Sequence, residues 1–394
     1  MKRMTFLFLN LFVAGLLFSQ TLITVDQFNA GITREDANFI YSRVNGQNFL
    51  VDKSTRRDYR IQVNSAWRSF DIEAQNAGGF QYTVRDRAIT ITGYTGTATA
   101  IVIPPTINGM PVVAIGEYAF SGHKAGYFYN DVPPGIGLTS VTIPNSITTI
   151  GGFAFSGNRL GNVIIPLSIT SIGDRAFWDA GLSSITIHNS VTYIGLYAFY
   201  SNQLTNVTIP DSVTNIEPGA FGRNNIVSVS IGTGLRLNPT GSGIGSAFRG
   251  QRGRTLTAIN VAAGNPVYAS VDGVVYNKNL TTLIFWPEGK PMVNIPSSVT
   301  TIGRDAFFSN ISSITIPNNV TVIEGTDRET AFICYNLVSI TIGENVTING
   351  LGFSYANRVG SLETIGFKEA YNNGGRRAGT YTRPNTDSTT WIRQ

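Results

Sequence analysis

Four stretches, LTSVTIPNSITTIGGFAFSGN (138–158), LGNVIIPLSITSIGDRAFWDA (160–180), LSSITIHNSVTYIGLYAFYSN (182–202) and LTNVTIPDSVTNIEPGAFGRN (204–224), are copies of one pattern at a constant step of 22 residues. The shared pattern is L-x-x-[V/I]-x-I-P-x-S-[V/I]-T-x-I-G-x-x-A-F-x-x-N. A period of this length is the mark of a solenoid in which each copy adds one turn. Val163 and Ile165 alternate as residues of one strand face do. The following proline slot ends that strand, because proline cannot donate to a ladder. Ile169 and Ile172 supply a second inward pair, Gly173 permits a bend, and Ala176–Phe177 fills the remaining core from a tight turn or short helix. A 22-residue unit cannot bury these groups alone. Stacked neighbours can, each Ile lying over the next at the ~4.8 Å strand spacing.

The Ala–Phe landmark recurs at Ala119, Ala154, Ala176, Ala198, Ala220, Ala247, Ala306 and Ala331, with Gly352–Phe353 a degenerate last copy. The expected fold is thus a β-rich solenoid of about ten parallel turns over residues 79–361. Three interruptions break it. Residues 123–135 carry an aromatic, Gly/Pro-containing insertion; residues 249–254 read RGQRGR; residues 265–290 form an unusual rung. In that rung Val274–Tyr276 and Leu283–Trp286 are β-rich runs around the polar Asn277–Thr282, as in a hairpin. Tyr276, Phe285 and Trp286 are expected to pack it.

Outside the array lie three further segments. Residues 1–20 have a basic start, an apolar run from Phe6 to Phe18 and a small or polar end, the layout of a secretory signal peptide. The run is too short for a membrane span, and no later segment reaches that length. Residues 21–78 lack the repeat, and Thr33–Asp36 resembles a helix start leading through Ile40 and Val44. Residues 362–394 read as a C-terminal cap or tail. Open solenoids must shield their end layers.

Composition limits function. The formal charge is +5, of which Lys2 and Arg3 belong to the leader, so nothing concentrates basic charge as nucleic-acid binding demands. The single cysteine, Cys334, cannot form an internal disulfide and reads as a buried apolar filler. The two histidines, His123 and His188, and the scattered acids Asp174, Asp211 and Glu217 show no spacing for a triad or a metal site. No cofactor is implied, and the chain is read as non-enzymatic.

Candidate binding residues fall in three groups. Ser140, Thr142, Asn162, Ser184, Thr186, Asn206 and Thr208 occupy outward positions of successive first strands, a file of small hydrogen-bonding groups. Such residues are also ordinary soluble strand formers. Tyr127, Phe128 and Tyr129 offer aromatic anchors in the 123–135 loop, and loops on rigid scaffolds often carry recognition. Arg249, Arg252 and Arg254 could meet an acidic glycan or protein.

On these motifs the chain resembles the BspA-like, or Treponema-type, leucine-rich repeat surface proteins over about residues 79–366, including the DGVVYNK…TLIFWP rung. The tail AYNNGGRRAGTYTRP is similar to the C-terminal segment of spirochaetal members. The resemblance implies an exported protein, secreted or held at the cell surface or in the periplasm, that adheres to an extracellular or host protein such as a matrix component or receptor. The alternatives are a structural protein of the cell envelope, or a glycan-binding or glycan-acting solenoid.

Overall fold

The computed structural model describes residues 78–122, 135–236, 244–291, 295–308, 311–325, 331–334, 336–350, 366–386 and 388–394, together with the backbone of short strands outside these ranges. The chain is a β-solenoid of about ten turns. Each turn contributes one strand to a first file, a two-residue strand to a second, and a tight turn carrying Ala–Phe. The first file runs Ala100–Val102, Ser140–Thr142, Gly161–Ile164, Leu182–Thr186, Asn206–Ile209, Ser228–Ile231 and Ala258–Val261. In the second, Ile115, Ile150, Ile172, Ile194 and Ile216 pair in parallel register, one over the next. Val163, Ile165, Ile169, Ile172, Ala176 and Phe177 are all buried, as the pattern requires.

Gly173 serves a different purpose from the expected bend. A Cβ there would lie 2.7 Å from the carbonyl oxygen of Ile150 in the turn below. The glycine slot is a point of close approach between turns. The residue before Ala–Phe is the strained one in five turns: Tyr118, Phe153, Arg175, Tyr197 and Asp305 all have φ between 53° and 57°. Left-handed backbone costs a bulky residue about 1 kcal/mol or more.

Many of the polar consensus residues stitch turn to turn, although the buried hydroxyls of Ser146 and Ser190 find no partner. Ser212 Oγ donates to the carbonyl of Val191 at 2.7 Å, and Ser168 makes the same bond to Ile147. Thr192 and Thr214 donate to the carbonyls of Thr170 and Thr192, both at 3.1 Å. The closing Asn does more. Asn202 is fully buried. Its Nδ2 donates to the carbonyls of Phe177 and Phe199, and its Oδ1 accepts from the Leu182 N–H. Asn158 and Asn224 repeat this set, and Gln251 takes over the slot in the next turn.

Ala180 breaks the ladder. The Leu160 N–H there turns to the Ala180 carbonyl at 2.8 Å instead. Ala180→Asn is expected to stabilise the array by about 1 kcal/mol, the net worth of a buried hydrogen bond or two. Urea unfolding checks this, and a lower midpoint would show that the slot has closed around alanine.

The rung at 265–290 is more than a hairpin. Tyr268–Val271, Val274–Asn277 and Thr282–Phe285 form an antiparallel three-stranded meander, turning at Asp272–Gly273. Tyr268, Val275 and Phe285 face the core of the preceding turns, whereas Val274, Tyr276, Leu283 and Trp286 face a second core that runs on to the C-terminus. The meander is a wall with both faces buried. Beyond it the second file restarts through Thr282–Phe285, Thr301–Ile302, Val322–Ile323 and Thr347–Ile348. Here the Ala–Phe turns become short parallel strands, Phe307–Ser309 and Phe332–Cys334, and Cys334 is buried as expected.

At the start, Phe80–Arg85 and Ala88–Tyr94 form a hairpin whose second strand runs parallel to Met110–Ile115. At the end, the helix Phe367–Asn373 buries Phe367 and Tyr371 against the last turn, and Gly379–Thr382 runs antiparallel to Ser339–Ile342. The buried Arg383 donates to the carbonyl of Leu337 at 2.8 Å with its guanidinium over the Trp391 ring. The helix expected to start at Thr33–Asp36 is not formed. Ile32–Glu35 and Phe39–Val44 are antiparallel strands, in keeping with the alternating Phe39, Tyr41 and Arg43 sequence. The leader at 1–20 lies outside the fully described residues.

Candidate binding face

Outward residues of the first file alternate with buried ones, so each strand presents two side chains to solvent. Ser140, Thr142, Asn162, Ser184, Thr186, Asn206 and Thr208 are all exposed on this one face. Strand pairing sets Asn162 opposite Ser184 and Asn206 opposite Ser228. These pairs bond sideways: Ser184 Oγ donates to Asn162 Oδ1 at 2.7 Å and Ser228 Oγ to Asn206 Oδ1 at 3.0 Å. The neighbouring column behaves differently. The hydroxyls of Thr142, Thr186 and Thr208 have no side-chain hydrogen-bond partner among the described residues. They share the column with Val102, 67% exposed, and Ile164, 70% exposed. The face thus carries one self-bonded polar column beside one of unengaged hydroxyls and aliphatic groups, with no charge on either.

The three arginines of 249–254 do not converge. Arg249 pairs with Asp305 at 3.1 Å, and Arg252 donates to Ser201 Oγ at 2.9 Å. Arg254 stands within electrostatic reach of Glu288. Only Arg252 is exposed. Tyr127, Phe128 and Tyr129, with His123, lie outside the described residues. Their loop departs beside Ser121, which bridges to Gly135.

A second ladder, which the repeat pattern does not announce, runs along the turn side. Tyr118 and Phe153 stack at 4.8 Å, and the Arg175 guanidinium lies 5.3 Å from the Phe153 ring and 5.1 Å from that of Tyr197. These are the left-handed residues, so stacking between turns offsets part of their backbone strain. The signal was one variable consensus position, visible only once the turns are superposed.

Among the described residues, no three His, Cys, Asp or Glu side chains stand together as a metal site needs. No described helix is long and apolar enough to cross a membrane. Glu288 is the one described carboxyl with a marked perturbation, its pKa pushed up to about 7 by burial.

No curated protein matches the chain. Solved structures do. A leucine-rich repeat protein from Eubacterium ventriosum is 22% identical, with 76% of this chain and 68% of that one covered at a TM-score of 0.46. A leucine rich cell surface protein from Faecalibacterium prausnitzii is 27% identical over 71% of this chain and 80% of that one, also at 0.46. A leucine-rich repeat protein from T. pallidum is 27% identical over 48% of this chain and 81% of that one, at 0.36. The family model described as BspA type leucine rich repeat region matches six copies over residues 115–238 and 290–378. With its 22-residue solenoid and that match over more than half its length, the chain belongs to the BspA-type leucine-rich repeat family.

Proposed function

We propose that this is an exported interaction protein whose first-file face binds a protein on a host or neighbouring cell. The reading is supported above all by the contrast between the two kinds of polar residue. Consensus Ser168, Ser212, Thr148, Thr192, Thr214, Asn158, Asn202 and Asn224 of the second file and the turns are engaged in inter-turn hydrogen bonds, while Thr142, Thr186 and Thr208 on the first-file face are left unengaged beside exposed Val102 and Ile164. Hydroxyl and aliphatic groups without charge suit a neutral protein surface, where shape and many small contacts supply affinity. The 123–135 loop, with Tyr127, Phe128 and Tyr129, adjoins this region of the sequence and adds aromatic anchors to the same reading.

Solid-phase binding to a basement-membrane extract tests it. Ile164→Lys with Thr186→Lys places two charges in the neutral column, and burying an unpaired charge at an interface costs about 2–5 kcal/mol. Binding weaker by at least about tenfold is expected, each factor of ten being 1.4 kcal/mol. Undiminished binding by the folded double variant removes the face from the proposal. Undiminished binding by Tyr127, Phe128 and Tyr129 changed together to Ala removes the loop.

A further inference from the structure

The two cores meet at the 265–290 wall, and side-chain contacts among the described residues also cross the joint on the turn side. One is the Arg249–Asp305 ion pair. Another is made by Glu288, on the segment leaving the wall. Its Oε1 accepts the Gln251 N–H at 2.5 Å, and the backbone of Gly250 also donates to its carboxyl. Gly289 follows and donates its N–H to the Leu256 carbonyl at 2.8 Å. Gln251 is the last rung of the Asn ladder, tied to the carbonyls of Phe221 and Phe248. Glu288 therefore fastens the wall to the end of the first stack's internal hydrogen-bond column. It does so while only 8% exposed, and an ionised carboxylate is costly in such a place.

We propose that Glu288 is a proton-operated latch: protonated, it holds the joint between the two stacks closed, and ionised, it loosens the joint around residues 249–256. The wall is the natural place for such a device, since the first file reaches Ala258–Val261 before it and the second file restarts only from the wall's own strand Thr282–Phe285. Burial is the largest influence on the carboxyl; the backbone donor of Gln251, the Arg254 guanidinium acting through space and the backbone donor of Gly250 all favour the ionised form, and oppose burial without overcoming it. The other charges around the joint are Arg249, paired with Asp305; Arg252, bonded to Ser201; and Lys290 and Arg304 on the wall's exit and the first turn beyond.

The sign follows from the direction of the shift. A carboxyl whose pKa in the closed joint lies above its free value stabilises closure fully below the free value, and that contribution is lost as pH rises through the closed-state value. Between the ordinary 4.5 and the closed-state value of about 7 lies the working window. Acid tightens the joint.

Amide hydrogen exchange of the whole protein, corrected for the intrinsic pH dependence of exchange, reads the latch at Gln251. With those two values the opening equilibrium should fall about 30-fold from pH 8 to pH 5.5. Glu288→Gln keeps an acceptor for the Gln251 N–H without the charge, so its opening should be low at both pH values. A wild-type opening that does not change with pH, or one whose pH dependence survives in Glu288→Gln, overturns the proposal. Should the variant fail to fold, carbon NMR of the wild-type Glu288 carboxyl decides: titration near 7 supports the latch, and titration near 4.5 removes it.

Discussion

Phe199→Ala is expected to cost about 3–5 kcal/mol of unfolding free energy, the range for emptying a large aromatic site in a close-packed core. Phe120, Phe155, Phe177, Phe199, Phe221 and Phe248 form a continuous stack through six turns, with centroids 5.0–5.4 Å apart and planes within 16° of parallel. Phe199 is fully buried in the middle of it. Truncation removes two stacked neighbours as well as the side chain's own burial, and offset aromatic pairs add about 0.5–1.5 kcal/mol each beyond area. Because each turn touches only its neighbours, the loss concentrates there and divides the array. Urea unfolding is expected to show a lower first midpoint and, with it, faster amide exchange in residues 182–216. A loss under about 1 kcal/mol would mean that the turns collapse to fill the space.

Asn202→Ala comes next in size and acts through a different force. It deletes four hydrogen bonds to backbone groups deep in the turn: one from the Leu182 N–H and those to the carbonyls of Phe177, Phe199 and, at 3.4 Å, Tyr200. An unpaired buried polar group costs about 1–3 kcal/mol, so a loss of about 3–5 kcal/mol is expected after water enters part of the gap. Asn202→Asp separates hydrogen bonding from volume. It keeps the acceptor and the size, removes both donors and buries a charge, so at neutral pH it should be at least as damaging as Ala. Equal stability of the Asp variant and the wild type in urea unfolding would show that the carbonyls need no donor. The opposite test is Ala180→Asn, where the slot now lacks its amide.

These two substitutions mark what could be read from the pattern. That Phe and the inward Ile, Val and Leu make the core is legible because a residue every 22 positions must lie over its equivalent once turns stack. The role of Asn was not legible in the same way. The residue is plainly part of the repeat, but its shortest hydrogen bonds reach into two different turns, at separations of 3, 20 and 25 residues. The glycine slot at Gly173 is legible in the repeat but its main constraint is not, since a bend is a local property and the close approach is to the carbonyl of Ile150 one turn away.

The candidate site divides likewise. Alternation along a strand put Ser140, Thr142, Asn162, Ser184, Thr186, Asn206 and Thr208 on one outward face, and they are there. Which of their hydroxyls are engaged depends on lateral partners such as the Asn162–Ser184 pair. The arginines of 249–254 are neighbours in the chain, yet their backbone turn sends them to Asp305, Ser201 and the vicinity of Glu288.

The sequence by itself determined the period, the stacking, the identity of the core and the face that each strand turns outward. These follow from repetition and from the geometry of a single strand, which need no knowledge of distant partners. The tertiary structure alone decided that residues 265–290 form a wall between two cores, that a buried Glu288 fastens that wall to the first stack, and that a column of left-handed residues is braced by stacking. Each of those depends on what a side chain meets after the chain has coiled around, and burial and hydrogen bonding between turns are set only there.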